Sequence, residues 1–117
     1  MRVLIIDDDA DQRGTLGMLL GALGHEVQAA VDGPSGLVLA AAFQPDVVLL
    51  DLQMPVMSGY ETAAALRLAP ASRESRLVLL TGSATATSEE ATGAGFDAFL
   101  RKPASAAALL GAMASRA

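Results

Sequence analysis

The sequence predicts an α/β domain in which a five-stranded parallel sheet is flanked by five helices. Short apolar runs alternate about five times with stretches of helical character, and this order is typical of a parallel sheet covered by helices. The runs at 3–6, 47–50 and 77–80 contain no polar residue, as expected for strands that are buried on both faces. Segments 26–30 and 98–100 complete the predicted strands.

The segments between these strands are predicted to be helices. In the first, leucines recur at helical spacing from residue 16 to residue 23, and Gly24 follows as a suitable C-cap. Gly14, Gly17 and Gly21 lie inside this helix rather than directly after a strand, so they do not form a phosphate-binding loop. We expect them to allow close helix packing. The other predicted helices cover residues 34–43, 58–68, 84–92 and 104–114.

Composition limits the possible functions. The chain has 117 residues, a formal net charge of -5, one histidine and no cysteine. An acidic chain without a cluster of Lys and Arg argues against a nucleic-acid partner, and the lack of thiols excludes disulfides and thiolate metal sites. The apolar start turns acidic after Ile6, unlike a signal peptide or a membrane span, so we expect a cytoplasmic protein without a membrane partner. No linker interrupts the alternation, and residues 1–117 are predicted to form one domain.

Charged and polar side chains follow four of the predicted strands, at their carboxyl ends. Asp7 and Asp8 follow the first strand, Asp51 the third, Thr81 the fourth and Lys102 the fifth. Ligands of open parallel sheets bind outside the carboxyl ends of the strands, where the strand order reverses. If the order is 2-1-3-4-5, the acids converge at that point, and a bound cation would offset their mutual repulsion. Hard oxygen ligands favour Mg²⁺.

Each of these residues also has a purely structural interpretation. Residues 7–9 can form a solvated turn in which Asp9 caps the following helix, and Asp51 can be a turn residue. Thr81 taken alone fits a helix N-cap, and Lys102 taken alone fits the surface. A carboxylate directly after an apolar strand is costly to bury without a partner, however. The functional interpretation therefore depends on the whole set occurring together.

Five motifs occur in order along the chain. They are Ile5-Ile6-Asp7-Asp8-Asp9, Val47-Val48-Leu49-Leu50-Asp51-Leu52-Gln53-Met54-Pro55, Ser58-Gly59, Leu79-Leu80-Thr81 and Gly95-Phe96-Asp97-Ala98-Phe99-Leu100-Arg101-Lys102-Pro103. With them the whole chain resembles the receiver domain of two-component response regulators. The resemblance implies the flavodoxin-like receiver fold, and the strand order 2-1-3-4-5 is taken from that family. The phrasing of several segments is most similar to receivers of hybrid histidine kinases.

The resemblance implies a magnesium site and a phosphorylation site that share one residue. Asp51 would be the phosphoacceptor and, with Asp8, a direct ligand of Mg²⁺. Asp7 would act largely through water. The backbone carbonyl of Gln53 would complete the protein ligands of the ion.

The resemblance also implies roles for residues around the bound phosphoryl group. Lys102 would pair with the acceptor carboxylate or with the phosphoryl oxygens, and Thr81 would hydrogen-bond the phosphoryl group. Phe99 stands at the position of the family's aromatic switch residue. The Lys102–Pro103 bond would be cis, a form that is nearly confined to proline.

The function that this resemblance implies is a phosphorylation-activated switch, not an enzyme with a separate substrate. A histidine kinase or a histidine phosphotransfer protein would donate the phosphoryl group from a phosphohistidine. The face made by the fourth helix, the fifth strand and the last helix would then change. That face has small, weakly charged residues here, so we expect a monomer or a weak dimer. No output domain is recognised in the sequence.

Three other interpretations compete with this one. An enzyme of the haloacid dehalogenase type also has a nucleophilic Asp after an apolar strand, but it carries an Asp-x-Asp motif where this chain has Gln53, and it needs a cap domain. A flavodoxin-like cofactor binder would need a phosphate loop after the first strand and aromatic residues to stack on a flavin. A degenerate receiver that only binds partners would have no need for its complete set of acids and lysine.

The fourth predicted helix is expected to be short or mobile. Segment 84–92 is rich in Thr, Ser and Ala, its helix propensity is poor, and it lacks large apolar residues that would hold it on the sheet. We therefore predict rapid amide hydrogen exchange across residues 83–92 compared with the strands, measured by NMR. Strong protection of these amides would contradict the prediction.

Overall fold

A sheet of five parallel strands runs through the centre of the computed structural model, which describes residues 1–114. The strands are β1 (Arg2–Ile6), β2 (Glu26–Ala30), β3 (Val47–Leu50), β4 (Arg76–Thr81) and β5 (Ala98–Arg101). Their order in the sheet is β2-β1-β3-β4-β5, so the predicted fold class and strand order are confirmed. The last three residues of the predicted domain lie outside the described residues.

Five helices connect or follow the strands in this part of the chain. They are α1 (Ala10–Ala22), α2 (Gly33–Phe43), α3 (Gly59–Leu68), α4 (Ser88–Gly93) and α5 (Ala106–Met113). Helix α4 is six residues long and begins at Ser88 rather than at residue 84, because the Thr87 side chain accepts the amide of Glu90 and so caps the helix there. Ser105 caps α5 in the same way, and α5 begins at Ala106, two residues after the predicted start.

The core lies on both faces of the sheet because successive strand residues point in opposite directions. Leu4 and Val48 face the side covered by α2, α3 and α4, whereas Val3 and Val47 face the side covered by α1 and α5. This burial on both faces explains the uninterrupted apolar runs of the central strands. Within residues 1–114, no helix combines the length and the apolar character that crossing a bilayer requires.

The prediction that the α1 glycines allow close helix packing is wrong. A Cβ built at Gly14, Gly17 or Gly21 would have no heavy atom within 4 Å. Helix α1 packs on the sheet through Leu16 and Leu20 instead. Close approach of the backbone occurs elsewhere, in particular at Gly59, the first residue of α3.

Gly59 should be intolerant of a side chain because it contacts the loop that follows β3. A Cβ there would overlap the Asp51 carbonyl oxygen and lie 2.9 Å from the Leu52 Cα. We predict that Gly59→Ala lowers the free energy of unfolding by about 1–3 kcal/mol, the usual cost of overpacking. The matched control Gly14→Ala should raise it by about 0.5–1 kcal/mol, because an exposed helical glycine gains from a Cβ. Urea unfolding measures both, and equal effects would contradict the packing described here.

Candidate functional site

Three carboxylates meet at the carboxyl edge of the sheet. Strands β1 and β3 are hydrogen-bonded neighbours whose last residues, Ile6 and Leu50, lie opposite each other. Asp7 and Asp8 follow the first of these strand ends and Asp51 follows the second, so all three are delivered to one place. One carboxylate oxygen from each lies within 4.8 Å of those of the other two. The convergence of residues more than forty positions apart follows directly from the strand order.

Lys102 supplies a positive charge to this acidic pocket. It follows the end of β5, and its Nζ lies 3.0 Å from Asp7 Oδ2 and 3.7 Å from Asp51 Oδ1. The ammonium is thus nearer to Asp7 than to the predicted acceptor Asp51. Asp7 is the more buried carboxylate, with 4% of its side chain exposed against 12% for Asp51, so it has the greater need of a partner. The Lys102–Pro103 peptide bond is cis.

Further donors fix Asp7 in place. Its Oδ1 accepts the amide of Asp9 at 2.9 Å, and its backbone carbonyl accepts Arg13 Nη1 at 2.9 Å. Asp9 has a second role, because its own side chain accepts the amides of Asp11 and Gln12 and caps α1. The cap expected from the sequence is therefore present. Arg13 was not predicted, although its place about one helical turn after the acidic run is a signal that could have identified it.

The electrostatics of the pocket disfavour the ionised form of Asp51. Burial raises the pKa of the Asp51 carboxyl above its ordinary value, the charge of Lys102 acts in the opposite direction, and the charge of Asp7 raises the pKa further. With all three acids ionised, the pocket carries two more negative charges than Lys102 can neutralise. One divalent cation would remove that excess.

The donor set fits a hard cation. All three acids offer carboxylate oxygens, the ligands that Mg²⁺ and Ca²⁺ prefer. Asp8 is exposed, and both it and Gln53 line a cleft of about 670 Å³ beside the pocket. An ion could therefore be reached from solvent, and Gln53 lies at the same opening.

The two residues predicted to act as a switch lie on neighbouring strands, β4 and β5. Thr81 ends β4 with 1% of its surface exposed, and its hydroxyl accepts the amide of Ser83 at 3.1 Å. Phe99 is partly buried against the core on the α3 and α4 side of the sheet. The sequence did not indicate that Arg101, the last residue of β5, covers the Phe99 ring with its guanidinium carbon 5.2 Å from the ring centroid.

Tyr60 is a third residue that the sequence did not single out. It lies in α3 and lines the cleft together with Asp8 and Gln53. Its hydroxyl is buried and has no hydrogen-bond partner among the described residues. Burial, and to a smaller extent the charge of Glu90, raise the pKa of Tyr60. No residue type or spacing in the sequence could have revealed this hydroxyl, because its burial depends on segments that follow β4 in the chain and are brought to α3 by the fold.

Comparison with known proteins identifies the same architecture. Residues 3–114 match the family model described as the response regulator receiver domain. Protein PilG of Pseudomonas aeruginosa is 33% identical over 115 residues, which cover 97% of this chain and 84% of that protein. A gliding motility regulatory protein of Myxococcus xanthus is 36% identical over 87% of this chain. The chain spans less than half the length of several curated relatives and only 13% of the gliding motility regulatory protein.

Two solved structures are similar over nearly the whole chain. A response regulator from Burkholderia pseudomallei, with a phosphorylated aspartic acid, a calcium ion and citrate, has a TM-score of 0.88 and 32% identity, covering 97% of this chain and 66% of that one. The receiver domain of a sensor histidine kinase from Pseudomonas aeruginosa, with magnesium coordinated in its active-site cleft, has a TM-score of 0.86 and 26% identity, covering 96% and 93%.

Removal of the Asp51 charge should stabilise the cation-free protein in a pH-dependent way. Because the pKa of Asp51 is raised by folding, the folded chain holds this proton more tightly than the unfolded chain. The resulting loss of stability is absent well below the ordinary carboxyl pKa of 3.8, develops as the pH rises through the raised pKa, and is constant above it.

We therefore predict that Asp51→Asn is more stable than the wild type near pH 7 by up to about 1 kcal/mol, a limit that allows for solvent screening in a half-open pocket. The difference should vanish near pH 3, about one unit below the ordinary pKa. Urea unfolding in the presence of a chelator measures it at both pH values. Glu74→Gln, which alters an exposed acid, is the control. If Asp51→Asn were more stable than the wild type by the same amount at both pH values, the raised pKa of Asp51 would be contradicted.

Proposed function

The chain belongs to the response regulator receiver domain family, and on that premise we propose that it is a phosphorylation-activated switch whose phosphoacceptor is Asp51. The observation that carries the proposal is the meeting of Asp51 with two other acids and with Lys102, whose ammonium lies 3.7 Å from the Asp51 carboxylate. Asp51 is the half-buried member of the three acids, between the buried Asp7 and the exposed Asp8.

The reaction is a phosphoryl transfer from a partner protein to Asp51. A carboxylate oxygen of Asp51 attacks the phosphorus of a phosphohistidine on a histidine kinase or a histidine phosphotransfer protein. The P–N bond breaks, the imidazole leaves with its electron pair, and an acyl phosphate forms on Asp51. No separate substrate is turned over. Positioning and charge neutralisation are the main requirements of such a transfer.

The residues of the pocket meet those requirements in different ways. Asp8, Asp51 and the Gln53 carbonyl would hold Mg²⁺, with Asp7 acting through water. Bound Mg²⁺ supplies neutralisation of the charge on the phosphoryl oxygens. The Lys102 ammonium would turn from the Asp51 carboxylate to the new phosphoryl oxygens, while Asp7 keeps it at the pocket through the 3.0 Å ion pair.

The new phosphoryl group would then change the conformation of the domain. It carries between about 1.5 and 2 negative charges at neutral pH, and because the new bond removes the charge of the Asp51 carboxylate, the pocket gains at most about one. The Thr81 hydroxyl would leave the Ser83 amide and donate to a phosphoryl oxygen, and Phe99 would move into the space that Thr81 vacates. Shifting a two-state equilibrium from about 1:99 to 99:1 takes roughly 5.5 kcal/mol. Two or three charge-assisted hydrogen bonds at about 1.5–3 kcal/mol each supply that amount.

The surface formed by α4, β5 and α5 would carry the signal onward. Helix α4 is short and weakly anchored, since Ala91 is its one buried residue, so movement of the β4–α4 connection costs little packing.

We propose that the domain works in the cytoplasm as a monomer or weak dimer. The likeness to the receiver of a sensor histidine kinase supports an origin in a hybrid kinase.

Phosphorylation by a small acyl-phosphate donor tests this function directly. In the presence of Mg²⁺ the wild type should gain the mass of one phosphoryl group in intact-mass spectrometry, and a chelator should prevent the gain. Asp51→Asn should gain nothing. The control Asp46→Asn, which alters an acid bonded to the Arg2 amide at the opposite edge of the sheet, should be labelled like the wild type. Labelling that persists in Asp51→Asn, or a folded wild type that is never labelled, would refute the proposal.

A further inference from the structure

We propose that Arg101 is a positioning residue that holds the β4–α4 loop, residues 82–87, and the Phe99 ring in the resting arrangement. In doing so it sets how readily the Asp51 pocket closes around a phosphoryl group. This inference rests on the proposed function, since closure matters only if Asp51 is phosphorylated. The residue before the predicted lysine was not among the site residues expected from the sequence.

Arg101 makes three contacts at the end of β5. Its Nη1 donates to the Ser83 carbonyl, and its Nη2 donates to the Ala86 carbonyl at 2.9 Å. Its guanidinium also covers the ring of Phe99, with 5.2 Å between the guanidinium carbon and the ring centroid. Arg101 and Phe99 are two positions apart on a strand, so they lie on the same face of the sheet. One planar group therefore joins the loop to the aromatic switch position.

The loop needs such a restraint because no regular structure holds it. Strand β4 ends at Thr81, and α4 does not begin until Ser88. The carbonyls of residues 82–86 thus lie outside the hydrogen-bond ladders of sheet and helix, and backbone acceptors require partners. Arg101 provides donors to two of them. A lysine could not serve equally, because its single ammonium lacks the fork that reaches two carbonyls in a fixed geometry.

The arginine contacts oppose the two movements that phosphorylation requires. Ser83, which accepts Arg101 through its carbonyl, donates its amide to the Thr81 hydroxyl at 3.1 Å. In the proposed switch the Thr81 hydroxyl leaves the Ser83 amide, and this releases the start of the loop. In the same switch the Phe99 ring moves inward, away from the guanidinium that covers it. Both movements therefore weaken contacts of Arg101, and the residue favours the resting state.

The test compares Arg101→Ala and Arg101→Lys with the wild type and with the control Arg73→Ala, which removes an exposed arginine after α3. One measurement is the exchange rate of the Ser83 amide by NMR without Mg²⁺ or donor. Residues 83–92 are expected to exchange faster than the strands, but the hydrogen bond to the Thr81 hydroxyl slows this amide while Thr81 keeps its resting position, so the difference between variants reports that position. The other is the dissociation constant of beryllofluoride, a non-covalent stand-in for the phosphoryl group, in the presence of Mg²⁺.

Arg101→Ala should raise the Ser83 exchange rate and tighten beryllofluoride binding, each by roughly five- to tenfold, the effect of losing charged hydrogen bonds at a partly exposed site. Arg101→Lys should fall between Arg101→Ala and the wild type, and Arg73→Ala should match the wild type. A residue that only supports the fold would weaken binding when it is removed. Tighter binding therefore distinguishes a restraint on the switch from general stabilisation.

Unchanged or weaker beryllofluoride binding by Arg101→Ala, with the wild type binding normally, would overturn the inference while leaving the phosphorylation proposal intact. If the wild type itself binds no beryllofluoride and accepts no phosphoryl group, the proposed function fails. The Ser83 amide then decides the structural part alone: faster exchange in Arg101→Ala supports the restraint, and unchanged exchange refutes it.

Discussion

The repulsion among three carboxylates at one edge of the sheet is the constraint on which the rest of this structure depends. Two paired strands deliver Asp7, Asp8 and Asp51 to the same point, and one ammonium is too little charge to balance them. The apolar runs of β1 and β3 make this tolerable, since burial on both faces holds the strand ends firmly in place. The pocket thus holds an excess of negative charge that a divalent cation would offset.

The two cationic residues at the end of β5 contact different parts of the site. Lys102 reaches the acids, whereas Arg101 reaches the loop after β4 and the ring of Phe99. They are consecutive, so their side chains leave the strand in different directions. The end of β5 therefore contacts both the carboxylate of Asp51, through Lys102, and the β4–α4 loop, through Arg101. The two regions are connected by neighbouring residues and not through the core.

The sequence predicted those features that depend on local pattern and on strand order. Uninterrupted apolar runs located the central strands, and the acids after them located the pocket, because parallel strands end at a common edge. The starts of α4 and α5 were predicted too early in the chain, because the side chains of Thr87 and Ser105 are the N-caps of these helices. The α1 glycines were misjudged because Leu16 and Leu20 determine which side of that helix packs. The contacts of Arg101 and the buried hydroxyl of Tyr60 depend on the path of loops, which no periodicity encodes.

The position of Tyr60 has a practical consequence for spectroscopy. The chain contains one tyrosine and no tryptophan, so ultraviolet emission excited at the tyrosine band comes from a single side chain. That fluorophore lines the cleft next to Asp8 and Gln53 and stands edge-on to Phe96, with the ring centroids 6.3 Å apart. Its intensity therefore provides a label-free optical signal from the mouth of the acidic pocket, in the native protein and without an engineered probe.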